Sequence, residues 1–152
     1  MHHQHPYGAN AYRAIGIETG VATADPLGLV VMLYDGAVQA IVRAETALAS
    51  GDIEARGRFT SKAIDIVNQG LMASLDRRVG SPLVDGLAGL YEYMGRRLFA
   101  ANLKGDPAVY REVRTLLVDL RGSWVALRGQ RAPDLSAASH ELTRAHGRSL
   151  VA

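Results

Sequence analysis

The side chains in this sequence with the greatest chemical reach are its arginines. Arg114, Arg121 and Arg128 recur at seven-residue spacing with Arg111 nearby, and Arg77-Arg78 and Arg96-Arg97 stand as pairs. Such rows could contact phosphates. They could also lie along apolar helix edges, with buried stems and wet guanidinium heads. Interleaved acids such as Glu112 and Asp119 favour the second role. A formal net charge of +2 with a pI near 9.1 is too mild to require a nucleic-acid partner. An arginine-edged nucleic-acid-binding or regulatory protein is therefore the alternative reading.

Other chemistry finds little support. With no cysteine, thiolate zinc sites, iron–sulfur clusters and disulfides are excluded. His2, His3 and His5 sit at a terminus that offers no preorganised metal site. A di-iron bundle needs Glu-x-x-His on paired helices, and that tetrad does not occur. There is no phosphate loop, no strand-borne dinucleotide fingerprint and no nameable Ser–His–acid set. The expectation is a non-enzyme with no catalytic, cofactor or metal residues.

The elements that position these residues read as helices. The first spans 26–49, with Asp25 as cap and Pro26 in the first turn. Ser50-Gly51-Asp52 ends it and caps a second over 53–78. Gly80-Ser81-Pro82 precedes a third over 83–103. Lys104-Gly105-Asp106-Pro107 repeats the stop signal before a fourth over 108–128. No strand alternation and no repeat is visible. The fold class is all-α, an antiparallel four-helix bundle of residues 25–129. Residues 1–24 form a mobile arm with at most one short helix, and 130–152 a polar tail, disordered or weakly helical.

Two helices carry more apolar surface than a single stripe requires. Placed at steps of about 100°, Leu27, Val30, Val31, Tyr34, Val38, Ile41 and Leu48 form a core stripe on the first. Leu29, Leu33, Ala40 and Ala47 fall outside it. On the second helix, Ile53, Ile64, Leu71 and Leu75 form one stripe, and Ala55, Phe59, Ile66, Gly70 and Ala73 another. The fourth has a single stripe, Val109, Val113, Leu116, Leu117, Leu120, Trp124 and Leu127. The third has Leu83, Leu87, Leu90, Tyr91, Met94, Leu98 and Ala101, with Tyr93 and Phe99 outside. A helix touching two neighbours can need a wide arc. Alternatively the excess forms a groove of the first two helices, covered by the arm or by another chain.

The stretch MLYDGAVQAI (32–41) resembles the FliS family of flagellar export chaperones. LYEYMGRRLFAANLKGD (90–106) is similar to that family's tyrosine–methionine–double-arginine block, and EVRTLLVDLRGSW (112–124) to its final helix. Tyr7, Tyr12 and the Thr23-Ala24-Asp25-Pro26 entry agree in order, with Asp25 where serine is usual. Residues 77–85 lack the family's acidic double-glycine loop.

The resemblance implies a cytosolic chaperone that holds the disordered C-terminal segment of flagellin. It would prevent premature polymerisation and deliver its client to the type III export gate. It implies no nucleic-acid partner, no membrane insertion, and a possible homodimer when client-free. The client residues expected are Leu29, Leu33, Ala40, Phe59, Ile66 and Ala73. Tyr7, Tyr12, Ile15 and Ile17 would serve as the cover. On this reading, Leu33→Asp spares the fold and Val38→Asp destroys it.

Overall fold

The computed structural model describes residues 25–76, 78 and 80–151, and side chains as far as residue 130. Four long helical elements follow one another: α1 (Pro26–Ser50), α2 (Ile53–Asp65), α3 (Pro82–Lys104) and α4 (Pro107–Val151). Among the described residues there is no strand. The all-α bundle expected from the stop-and-cap signals is what forms.

The caps explain the boundaries. The Asp25 carboxylate accepts from the Gly28 N–H, and Pro26 fills a position whose N–H would have no helical partner. At the other end of α1, Gly51 adopts φ 77°, where an L side chain is strained, and its N–H reaches the carbonyls of Ala47 and Leu48. Asp52 then accepts from Ala55 N–H at 3.0 Å to start α2. Gly105, at φ 64°, closes α3 in the same way through the Ala101 carbonyl. Each of these tight links turns the chain back, so α1 to α4 alternate in direction.

Two boundaries differ from expectation. The second helix does not remain α-helical to residue 78. After Asp65 it widens into a π-helical segment, Ile66–Leu71, in which the Met72 N–H donates to the Val67 carbonyl five residues back at 2.9 Å. The chain then turns over residues 72–75. The fourth helix, expected to end near 128, continues through Pro133 to Val151. Pro133 removes one backbone donor from that stretch without ending it.

α1 packs against both α2 and α4, and α3 also packs against both. The core between them holds Tyr34 and Ile41 of α1, Leu71, Tyr91 and Met94, and Val113 and Leu117 of α4, all fully or almost fully buried. The second apolar face of α1 is part of the same core. Leu33 is 0 % exposed and Ala40 3 % exposed, and both cluster with residues of every other helix. Ala55 on α2, and Ile66 and Gly70 in the π-helical segment after it, are likewise buried. The expectation that the bundle does not need Leu33 is therefore corrected: a helix with two neighbours needs a stripe for each. α1 is long and apolar enough by composition to cross a membrane, and its use as a two-sided core helix accounts for that character.

The pH dependence of stability follows from the polar groups that tie the helices together. The Tyr93 hydroxyl and then Arg97 bond to Glu112 and lower its carboxyl pKa, opposing desolvation. A lowered folded pKa stabilises at pH above the ordinary carboxylate range, and that stability fades as pH falls through the folded value. Burial raises the hydroxyl pKa of Tyr34, Tyr91 and Tyr110. Their contribution is complete below the ordinary tyrosine value of about 10 and is lost above it, where the unfolded chain ionises first. Thermal melts should therefore show a plateau at neutral pH with losses on both sides. Glu112→Gln should flatten the acid side; an unchanged acid limb would mean that Glu112 plays no part in it.

Candidate functional site

The polar groups inside and around the bundle are engaged with one another. Tyr34 and Tyr91 share a hydroxyl–hydroxyl bond of 2.6 Å, and the Trp124 indole N–H donates to the Tyr34 oxygen at 3.0 Å. This joins α1, α3 and α4 through their centres. Thr60 and Tyr110 make a second buried hydroxyl pair at 2.7 Å. Arg56 of α2 donates to the side-chain and backbone oxygens of Asn102 on α3, at 3.0 and 2.9 Å. These are structural ties between neutral or satisfied groups, and none presents an activated nucleophile or a poised base.

The arginine row of α4 is also accounted for. Arg114 pairs with Glu45 at 2.7 Å, Arg121 with Asp35, and Arg128 with Asp25 at 3.2 Å. The three acids run down α1 while the three arginines run up α4, as antiparallel neighbours must. The pairs are partly exposed, so each contributes little, about 0–1 kcal/mol. Their consequence is electrostatic: three of the cations that could have tracked a phosphate backbone are neutralised within the chain, while Arg96 and Arg111 are exposed and pair with no carboxylate among the described residues. Arg97 likewise holds Glu112. Arg77, His2, His3 and His5 lie outside the described residues, as do Tyr7, Tyr12, Ile15 and Ile17.

The remaining candidates from the sequence divide by burial. Leu33, Ala40 and Ile66 are inside the bundle and present no surface. Leu29 and Phe59 are half-buried against the core, and Ala73 is exposed just beyond the π turn. Phe59 is not bare: the guanidinium groups of Arg43 and Arg58 lie 5.6 and 5.8 Å from its ring centroid.

The exposed apolar surface lies elsewhere. Ile53, Leu83, Phe99 and Leu103 are 65–72 % exposed, far more than apolar side chains packed in a core. The Arg56–Asn102 contact sets the level at which α2 and α3 meet, and Ile53, Phe99 and Leu103 fall within one turn of it. Leu83 stands at the other end of α3, in its first turn. On α4, Val118 and Val125 are exposed one heptad apart, and Val42 of α1 is exposed too. Phe99 carried a signal in the sequence, since it fell outside the third helix's stripe. Ile53 and Leu83 carried none, because they continue core stripes in phase. Only their position at helix starts, where the core runs out, exposes them.

The bundle thus has a filled, hydroxyl-tied core and several large apolar side chains left in solvent. The family model described as flagellar protein FliS matches residues 8–131. A flagellar secretion chaperone FliS of Salmonella typhimurium is 43 % identical over 117 residues, covering 77 % of this chain and 87 % of the relative. The Escherichia coli protein of the same name is 39 % identical over 117 residues, with 77 % and 86 % covered. That of Bacillus subtilis is 35 % identical over 121 residues, with 80 % and 84 % covered. The matched span takes in α1, α2, α3, the first part of α4 and the tyrosine–tryptophan tie at their centre, and the chain belongs to the FliS family of flagellar secretion chaperones.

Proposed function

We propose that this protein is a cytosolic export chaperone whose client is flagellin. It holds the client's C-terminal segment, keeps it from polymerising early, and brings it to the flagellar type III export gate. The observation that carries the reading is the set of large apolar side chains, Ile53, Leu83, Phe99 and Leu103, left two-thirds exposed on helices whose own core is full. A disordered amphipathic client can gain affinity there by laying apolar side chains across the helix seams. Among the residues singled out from the sequence, Leu29 and Ala73 retain surface that can join this contact. No nucleotide is needed for binding, so release comes from competition at the gate. Without client the same surface favours self-association into a homodimer. The nucleic-acid reading is weakened because Arg114, Arg121 and Arg128, the heptad-spaced row of α4, are held by carboxylates at Glu45, Asp35 and Asp25.

Calorimetry with a flagellin C-terminal peptide tests the reading. Phe99→Asp or Leu103→Asp should leave the circular dichroism spectrum and melting temperature near those of the parent, because both side chains are mostly in solvent already. Each should weaken peptide binding by about tenfold or more, since a carboxylate must be desolvated against an apolar client without a partner. Binding by the parent should change little with salt, in contrast to phosphate recognition. A parent that does not bind the peptide sinks the flagellin reading. Variants that bind like the parent move the contact away from the α2–α3 seam.

A further inference from the structure

The seam between α1 and α2 carries two arginines stacked on one aromatic ring, with a lysine beside them. Arg43 projects from α1 and Arg58 from α2, and both hold their guanidinium groups over the Phe59 ring, at 5.6 and 5.8 Å. Lys62 is one helical turn beyond Arg58 on the same face of α2. All three cations are exposed, and Phe59 is half-buried beneath them. Among the described residues none of the three takes part in an ion pair, whereas Arg78, Arg97, Arg114, Arg121 and Arg128 each hold a carboxylate. Arg96, Lys104 and Arg111 are also exposed without an ion pair among the described residues, but none of them is held with a second cation over an aromatic ring.

Three like charges on one short seam repel one another and lower stability, unless something offsets them. The aromatic ring offsets part of this by attracting both guanidinium groups to its face. It also pre-orders two long side chains that would otherwise lose rotamer freedom on binding. A guanidinium so held keeps edge N–H groups free, and those match a carboxylate in bidentate geometry. We infer that the Arg43–Phe59–Arg58 clamp, extended by Lys62, is a docking site for an acidic segment of a protein partner. It is separate from the apolar surface at Phe99 and Leu103, and the inference does not depend on flagellin being the client.

Charge complementarity decides the occupant. Glu54 lies one turn before Arg58, and Asp65 lies one turn after Lys62, so acids bound the cluster at both ends. The cationic stretch from Arg58 to Lys62 is therefore only about 6 Å along the axis. A nucleic acid carries phosphates far past that length and would meet Glu54 and Asp65. A peptide with two or three carboxylates fits within it. The same ring offers its exposed edge to an apolar residue between those carboxylates.

The full chain, without flagellin, is titrated into fluorescein-labelled hexaglutamate, with hexaglutamine and hexathymidylate as comparison arms, and anisotropy is read. Hexaglutamate should saturate below ~1 mM protein at low salt, and hexaglutamine should not bind. The double variant Arg43→Gln with Arg58→Gln should weaken hexaglutamate binding about tenfold or more, while the paired-site variant, Arg114→Gln with Arg121→Gln, which removes equal charge from residues already held by carboxylates, should change it less than about twofold. Phe59→Leu keeps apolar bulk in the seam and should still weaken binding, because the guanidinium groups lose their platform. Circular dichroism confirms that each variant is folded. The inference is overturned if hexaglutamate fails to saturate, if the paired-site variant loses as much as the double variant, or if hexathymidylate binds more tightly at the same ionic strength.

Discussion

Leu33→Asp should abolish cooperative folding of the bundle, and the milder change should be Val38→Asp. Leu33 is 0 % exposed and packed in the common core of all four helices. Shortening a buried leucine costs about 2–5 kcal/mol by transfer and cavity terms alone. The aspartate adds a buried carboxylate, and among the described residues no cationic side chain is buried to meet it. A loss above about 5 kcal/mol would consume most of the stability of an ordinary domain. Val38 is only half-buried, along the α1–α4 seam where Arg121 also lies, so a carboxylate there can turn toward water. About 1–2 kcal/mol is expected for it. Urea titrations followed by far-ultraviolet circular dichroism rank the two. A Leu33→Asp protein that unfolds at the parent's urea midpoint would restore Leu33 to the surface, and with it the groove expected from the sequence.

The second large effect is at Trp124. Its ring packs against the core and its indole N–H donates to the Tyr34 oxygen at 3.0 Å. Trp124→Ala should cost about 3 kcal/mol, toward the lower end for a large aromatic because the ring is partly exposed. Tyr91→Phe should cost only about 1 kcal/mol, although Tyr91 is almost fully buried. The reason is a count of protons. Trp124, Tyr34 and Tyr91 bring three polar hydrogens to two hydrogen bonds, so one hydroxyl proton has no acceptor within the trio. Removing the Tyr91 hydroxyl takes away one bond and one proton together and leaves one proton unmatched, as before. Thermal and urea denaturation of both variants measure the difference. Equal losses would show that the trio, not the indole packing, sets the cost at this position.

Helix identity was legible because local signals decide it. Asp25-Pro26, Gly51-Asp52 and Gly105-Asp106-Pro107 supply caps, prolines and left-handed stops, and each acts over one turn regardless of what packs outside. The five helix ends those signals control fall within a residue of their expected places. Of the two boundaries that differ, one had no local signal of that kind and the other overrides one. The π turn at Ile66–Leu71 adds one residue to a helical turn, and a periodicity count at a fixed 100° cannot contain that residue. The run of α4 past Gly129 and Pro133 goes against the residue types there.

The assignment of surface was another matter. Periodicity in the sequence establishes the angle of each side chain about its own helix axis, and so it established that α1 carries two apolar faces. It could not establish what stands opposite each angle. That depends on which helix lies beside α1, how far along its axis each neighbour reaches, and where the core ends. The tertiary structure packs α1 against two neighbours and buries Leu33 completely, so the face that looked spare is core. It stops the core one turn short of Ile53 and Leu83, so two residues in phase with core stripes are in solvent. The arginines divide for the same reason. Arg114, Arg121 and Arg128 meet acids of α1 that are 69 to 103 residues away in the chain, while Arg43 and Arg58 meet only Phe59. The sequence alone thus determined four amphipathic helices and their ends, through interactions that reach one turn. The apolar surface, the pairing of charge and the two-sided burial of α1 belong to the packed bundle, because each depends on contacts between helices that the chain brings together only when it folds.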